Sequence, residues 1–123
     1  MISGSVNANL EAIIPLMILD SQGRWVSLDA VVDTGFTANL LLPPADIQAL
    51  GIPFVGQQQA VLADGSTGLF DVHAATINWD GQVRNVLLLA SHSSPLVGTR
   101  LLQGHKLQVE VKVGGAVTIE ALP

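Results

Sequence analysis

Three consecutive residues, Asp33-Thr34-Gly35, set a carboxylate, a hydroxyl and a glycine directly after the mostly apolar run Leu28-Asp29-Ala30-Val31-Val32. Such a run, rich in β-branched residues, reads as a buried strand. Ending it at an aspartate places a charge at the rim of a hydrophobic interior, which is costly unless the carboxylate is hydrogen-bonded or put to use. Glycine permits a tight turn that brings peptide N–H groups toward the acid, and the threonine hydroxyl both donates and accepts, so it can brace the loop from inside. Two readings fit. In one, Asp33 is a turn residue bonding its own backbone, with Gly35 at positive φ. In the other, Asp33 is a catalytic aspartate. The elements that position these residues must decide between them.

The chain has 123 residues, enough for a single domain over 1–123 that buries about two-thirds of its unfolded surface. It is 49% hydrophobic and only 12% charged, which excludes a disordered or linker-like chain and hints at a subunit that covers an apolar face with a partner. Five basic against ten acidic residues give a net charge of −5 without a basic cluster, so nucleic-acid binding lacks its electrostatic footprint. The absence of cysteine excludes disulfides and thiolate metal sites and suits a reducing compartment. The longest apolar stretch, Ala12 to Leu19, contains Pro15 and is too short to span a bilayer. Met1 to Ser5 lack the basic and apolar segments of a secretory signal. The expectation is a cytoplasmic protein with no membrane or nucleic-acid partner.

Most of the chain is strand-like. From Val6 to Ile14 apolar residues alternate with Asn7, Asn9 and Glu11, and the run continues to Leu19 before the turn Asp20-Ser21-Gln22-Gly23. Arg24 to Val32 returns as a second strand and delivers Asp33. Ala38 to Leu42 is apolar. Pro44 to Leu50 has proline at its start, Asp46 in its first turn and Gly51 as its stop, which predicts one short helix. Gln57 to Ala63 is extended. Asp64-Gly65 and Asp80-Gly81 mark two hairpin turns, and Val83 to Ala90 is a strand. Leu96-Val97-Gly98 is a short apolar run, with a helical turn over Thr99–Gln103 capped by Gly104. Leu107, Val109, Val111 and Val113 alternate with polar residues toward a Gly114-Gly115 turn, and Ala116 to Leu122 returns. Many short strands with glycine turns and one short helix predict an all-β, barrel-like domain.

The order of these pieces, Val31-Val32-Asp33-Thr34-Gly35, a glycine-containing hairpin, then Leu96-Val97-Gly98-Thr99-Arg100-Leu101-Leu102, resembles the retropepsin-like aspartic proteases, the group of the retroviral proteases and their small bacterial relatives. The likeness runs from about Leu10 to Gly104. It implies a closed acid-protease barrel with one short helix after the Asp-Thr-Gly loop and a helical turn near residue 100. It also implies that the Leu96-Val97-Gly98 segment packs the loop from below. Asp33, Thr34 and Gly35 become the catalytic loop. The Ala63–Gly68 hairpin becomes a flap over bound peptide, so that Phe36, Ala63, Asp64, Gly65 and Ser66 are the implied substrate-binding residues.

Peptide hydrolysis of this type uses two carboxyl groups around one water: the ionised one takes the water's proton and the protonated one polarises the scissile carbonyl. Two such groups a few ångströms apart share one proton and titrate as a pair. The chain has a single Asp-Thr-Gly, so the second acid must come from a second copy across a two-fold axis. The implied protein is a homodimeric aspartic endopeptidase acting on peptides or proteins without a cofactor or metal. The terminal segments, residues 1–6 and 116–122, are candidates for an intersubunit sheet. Phe36 stands where many relatives carry a small residue, the hairpin tip lacks an aromatic, and Thr99-Arg100 replaces an arginine-first pair that ties retroviral dimers. His73, His92 and His105 are scattered and lack metal-ligand spacing. Trp25 and Trp79 read as core or interface residues. A weak or inactive retropepsin-fold dimer that binds peptides as a scaffold is the alternative, and a monomeric barrel for small molecules is a third.

Overall fold

Period-two patterning becomes extended chain almost throughout. The computed structural model describes residues 1–61 and 64–123. In chain order it contains β1 (Ile2–Val6), β2 (Ala12–Leu19), β3 (Trp25–Val32), β4 (Leu40–Leu42), α1 (Pro44–Leu50), β5 (Phe54–Val61), β6 (Thr67–Trp79), β7 (Gln82–Ala90), β8 (Leu96–Val97), α2 (Thr99–Leu102), β9 (His105–Val109) and β10 (Ala116–Ala121). The strands lie in one sheet ordered β5-β6-β7-β4-β8-β3-β2-β1-β10-β9. A further pairing of β2 with β6 brings that order back on itself. Inside it, Ile14, Leu16 and Ile18 of β2 meet Ile77 and Trp79 of β6, Leu88 of β7 and Val97 of β8. Each such side chain contributes about 1.5–3 kcal/mol when fully buried.

The helix predicted over Pro44–Leu50 has those same bounds. Pro44 opens it where an N–H would be unpaired anyway. Gly51 closes it at φ 67°, a left-handed conformation that glycine adopts without strain. Ile47 and Leu50 turn inward. The Asp80-Gly81 turn is also present, with both residues at positive φ (51° and 81°) as a two-residue hairpin between right-twisted strands requires.

Three expectations fail. The continuous strand from Val6 is broken, because the Asn7 carboxamide accepts the N–H groups of Asn9 and Glu11 at 3.0 and 2.9 Å and Leu10 sits at φ 61°. This local side-chain bonding outcompetes the alternating pattern. The closing turn is a six-residue loop, 110–115. Gly114 donates to Val6 and Gly115 accepts from it, at 2.8 and 2.9 Å, which leaves Val111 and Val113 exposed. Finally, the terminal segments do not stand free for a partner: β1 pairs with β10 in the same chain, Ile2 opposite Ile119, and β10 pairs onward with β9. Among the described residues no helix is long and apolar enough to cross a membrane.

Candidate active site

β3 releases the chain at Asp33, and β8 fixes where that happens. The two strands are parallel, Val31 opposite Leu96 and Val32 opposite Val97. Val31 N–H donates to the Pro95 carbonyl and Asp33 N–H to the Val97 carbonyl, both at 2.9 Å. On its other side β8 pairs antiparallel with β4, Leu40 opposite Val97. The Leu96-Val97-Gly98 segment thus lies beside the Asp-Thr-Gly loop, wedged between the strand entering the loop and the strand leaving it.

Gly98 is the joint. Its backbone is ordinary (φ −101°), yet an added Cβ would stand 2.6 Å from the Phe36 carbonyl oxygen and closer still to that of Ala38. Only glycine allows this approach. Gly98 N–H donates to the Asn39 carbonyl at 2.9 Å, and Thr99 N–H to the Phe36 carbonyl at 2.8 Å.

The Asp33 side chain is half-buried, and Thr34 and Gly35 are exposed. Asp33 Oδ1 accepts the Gly35 N–H at 2.9 Å, and Phe36 N–H closes the turn on the Asp33 carbonyl at 3.1 Å. This is the local bonding of the plain turn reading, but Gly35 is not at positive φ. Among the described residues Oδ2 accepts no hydrogen bond, so one carboxylate oxygen stays open to a water or a proton.

β5 and β6 form the hairpin identified above, their last pair being Val61 and Thr67. Ala63 lies outside the described residues. At the tip Asp64 accepts the N–H of Ser66 at 2.9 Å and the Ser66 hydroxyl, with Gly65 at φ 84°. The Ser66 hydroxyl, then its N–H, hold the Asp64 carboxyl below its ordinary range. A lowered folded-state value means that the tip is ordered by ionised Asp64 above the ordinary carboxylate range. That order is lost as pH falls through the lowered value. Carbon NMR of the Asp64 carboxyl should titrate below 3.8, and Ser66→Ala should move the midpoint back upward.

The strand leading to the tip lines a cleft with the residues that follow Asp33-Thr34-Gly35; among the described residues neither those three nor Asp64, Gly65 and Ser66 line it. This cleft, of about 280 Å³, has Phe36, Thr37 and Ala38 on one wall, Gln58 to Val61 on the other, and Leu89 and Arg100 completing it. Phe36 thus lines a cleft, together with Gln58 to Val61 and Arg100, which the sequence did not single out as substrate-binding residues. The Gln57-Gln58-Gln59 run has no apolar alternation to show which side faces the loop. Arg100 had only the partner chain to suggest a role.

The histidines are engaged elsewhere or exposed. His73 Nδ1 lies 3.1 Å from the Ile52 carbonyl and His105 Nδ1 3.0 Å from that of Gln103. Among the described residues no three His, Cys, Asp or Glu side chains stand together as a metal site.

No family model and no curated protein matches the sequence. Solved structures do. EIAV protease, complexed with the inhibitor HBY-793, superposes with a TM-score of 0.55 at 21% identity, over 80% of this chain and 92% of that one. A retropepsin-like aspartic protease from Rickettsia conorii superposes with a TM-score of 0.52 at 16% identity, over 98% of this chain and 90% of that one.

Proposed function

We propose, on the premise that this chain has a retropepsin-like fold, that it is an aspartic endopeptidase completed by dimerisation. The observation that carries the reading is Asp33 itself. Its main chain is pinned by β8, one carboxylate oxygen accepts no hydrogen bond among the described residues, and a cleft lies between the residues after the loop and the β5–β6 hairpin. The returning sheet order, through the β2–β6 pairing, supports a closed barrel beneath the loop.

One Asp33 is half of the chemistry. A second copy brings its own Asp33 across a two-fold axis, and the pair holds a single proton and a water. The ionised carboxyl takes a proton from that water as its oxygen attacks the peptide carbonyl. The protonated carboxyl donates to the carbonyl oxygen, and collapse of the tetrahedral intermediate breaks the C–N bond as the nitrogen is protonated. Thr34 braces the paired loops, Gly35 lets the chain approach the water, and Phe36 shapes the cleft. The hairpin tip at Asp64, Gly65 and Ser66, continuing from Ala63, closes over the extended substrate and excludes solvent. Because β1 and β10 are paired within the chain, the sheet ends at β5 and β9. β5 borders the cleft, so the partner's main chain has the β9 edge to join.

The test is concentration. Cleavage of a quenched peptide, per protomer, rises with protein concentration through the dimer transition that sedimentation reports, and levels off above it. A species that sediments as a strict monomer while cleaving at a concentration-independent rate would overturn the reading. A dimer that binds peptide without turnover would leave only the scaffold.

A further inference from the structure

We infer that Arg100 sets the substrate class: its guanidinium receives a carboxylate carried by the bound peptide, so the cleft favours acidic peptides. The inference rests on the reading above for the identity of the bound chain, but the binding itself does not require turnover.

The position of Arg100 is fixed from both sides. The residue before it, Thr99, donates its N–H and its hydroxyl to the Phe36 carbonyl at 2.8 and 3.4 Å. The two after it, Leu101 and Leu102, are buried, so α2 cannot turn and Arg100 is left facing outward. There it stands between two cavities. One is the cleft shared with Phe36 and β5; the other, about 350 Å³, is lined by Thr37, Thr99, Gln103 and Arg100 itself. Among the described residues the remaining polar side chains in both walls are amides and hydroxyls, and no carboxylate lines either.

Among the described residues the ion pairs involve the Met1 amino group, Arg24, His105 and Lys106, and none involves Arg100. Arg100 is exposed, and it is the one charged side chain among the described residues lining the two cavities. A guanidinium suits a carboxylate because its fork offers two parallel N–H donors. The carboxylate has two possible sources, an Asp or Glu side chain or the terminus of the peptide, and the chemistry of capture is the same.

The experiment uses fluorescein-labelled ten-residue peptides with a central Leu-Phe pair. A single Glu, or Gln as its counterpart, is walked through the flanking positions, and each peptide is made as free acid and as amide. Binding is read by anisotropy on Asp33→Asn protein, and cleavage on the parent. At one flanking position Glu should bind about tenfold more tightly than Gln. Arg100→Gln should erase the difference, and Arg100→Glu should transfer the preference to Lys. On the cleaving protein the change should fall on KM and leave kcat close to the parent's. A difference between acid and amide in place of Glu and Gln, likewise erased by Arg100→Gln, assigns the site to the peptide terminus.

No such difference, or one that survives Arg100→Gln in a variant that melts with the parent, overturns the inference. Arg100-dependent binding without cleavage by the parent sinks the endopeptidase reading alone. Cleavage indifferent to Arg100 sinks only this one.

Discussion

Exchanging Asp33 for asparagine should lower peptide cleavage by about a thousandfold or more, the scale on which a positioned acid–base group acts. The substitution is nearly isosteric. The asparagine carbonyl oxygen can still accept the Gly35 N–H that Asp33 Oδ1 accepts at 2.9 Å, and the main-chain bond from residue 33 to Val97 does not involve the side chain. Fold, melting temperature and association should therefore stay near the parent's while the proton acceptor is gone. Mixing parent and variant sharpens the result. If each centre draws one Asp33 from each of two copies, random re-association of equal amounts leaves only about a quarter of the dimers with both acids. Activity should then fall to about that fraction of what the same total of parent alone supplies. A mixture that retained half would mean that each protomer works alone, and undiminished cleavage by the variant would end the catalytic assignment.

Replacing Gly98 by alanine should be the most damaging single-methyl change near the site, costing about 3 kcal/mol or more and roughly 10 °C in melting temperature. The cost is steric and not conformational, since φ at Gly98 suits any residue. The new methyl would press on the Phe36 and Ala38 carbonyl oxygens, both main chain, and neither can swing aside as a side chain would. Relief requires β8 to withdraw from the loop, which loosens the bonds from Gly98 to Asn39 and from Thr99 to Phe36. Gly23→Ala is the control: its surroundings are empty, but φ is 77°, so only about 1–2 kcal/mol of backbone strain is expected. Equal melting for the two variants would show that the Gly98 joint yields more easily than its contacts imply.

Much of this arrangement was legible in the residues because local chemistry and long-range packing agreed. Pro44, Asp46 and Gly51 specify a helix that the buried faces of Ile47 and Leu50 then secure. Asp80-Gly81 specifies a turn that the β6–β7 ladder uses. The Asp33 loop was legible as a loop because the apolar run of β3 stops at residues with turn chemistry, as β2 and β6 also do at Asp20 and Asp80. Where local and patterned signals conflicted, the pattern misled. Val6, Ala8, Leu10 and Ala12 alternate correctly for a strand, yet the Asn7 side chain captures two N–H groups and turns the chain. Gly114-Gly115 does close a turn, Gly115 N–H donating to the Lys112 carbonyl at 2.8 Å with Gly114 at φ 79°. The strand before it, however, stops at Val109, and both glycines are also engaged by Val6, which sequence adjacency does not show. Cleft walls were the least legible. Gln58 to Val61 and Arg100 acquire their role only from which strand lies opposite Phe36.

The pairing of β1 with β10 inside one chain bears on how the molecule comes to exist. Had the two ends been exchanged between copies, no protomer could finish its own sheet without meeting another, and acquiring structure would depend on dilution. With Ile2 already opposite Ile119, a lone chain can close its hydrogen-bond ladder in a first-order process. For the proposed dimer, this makes assembly a step separate from folding of the protomer.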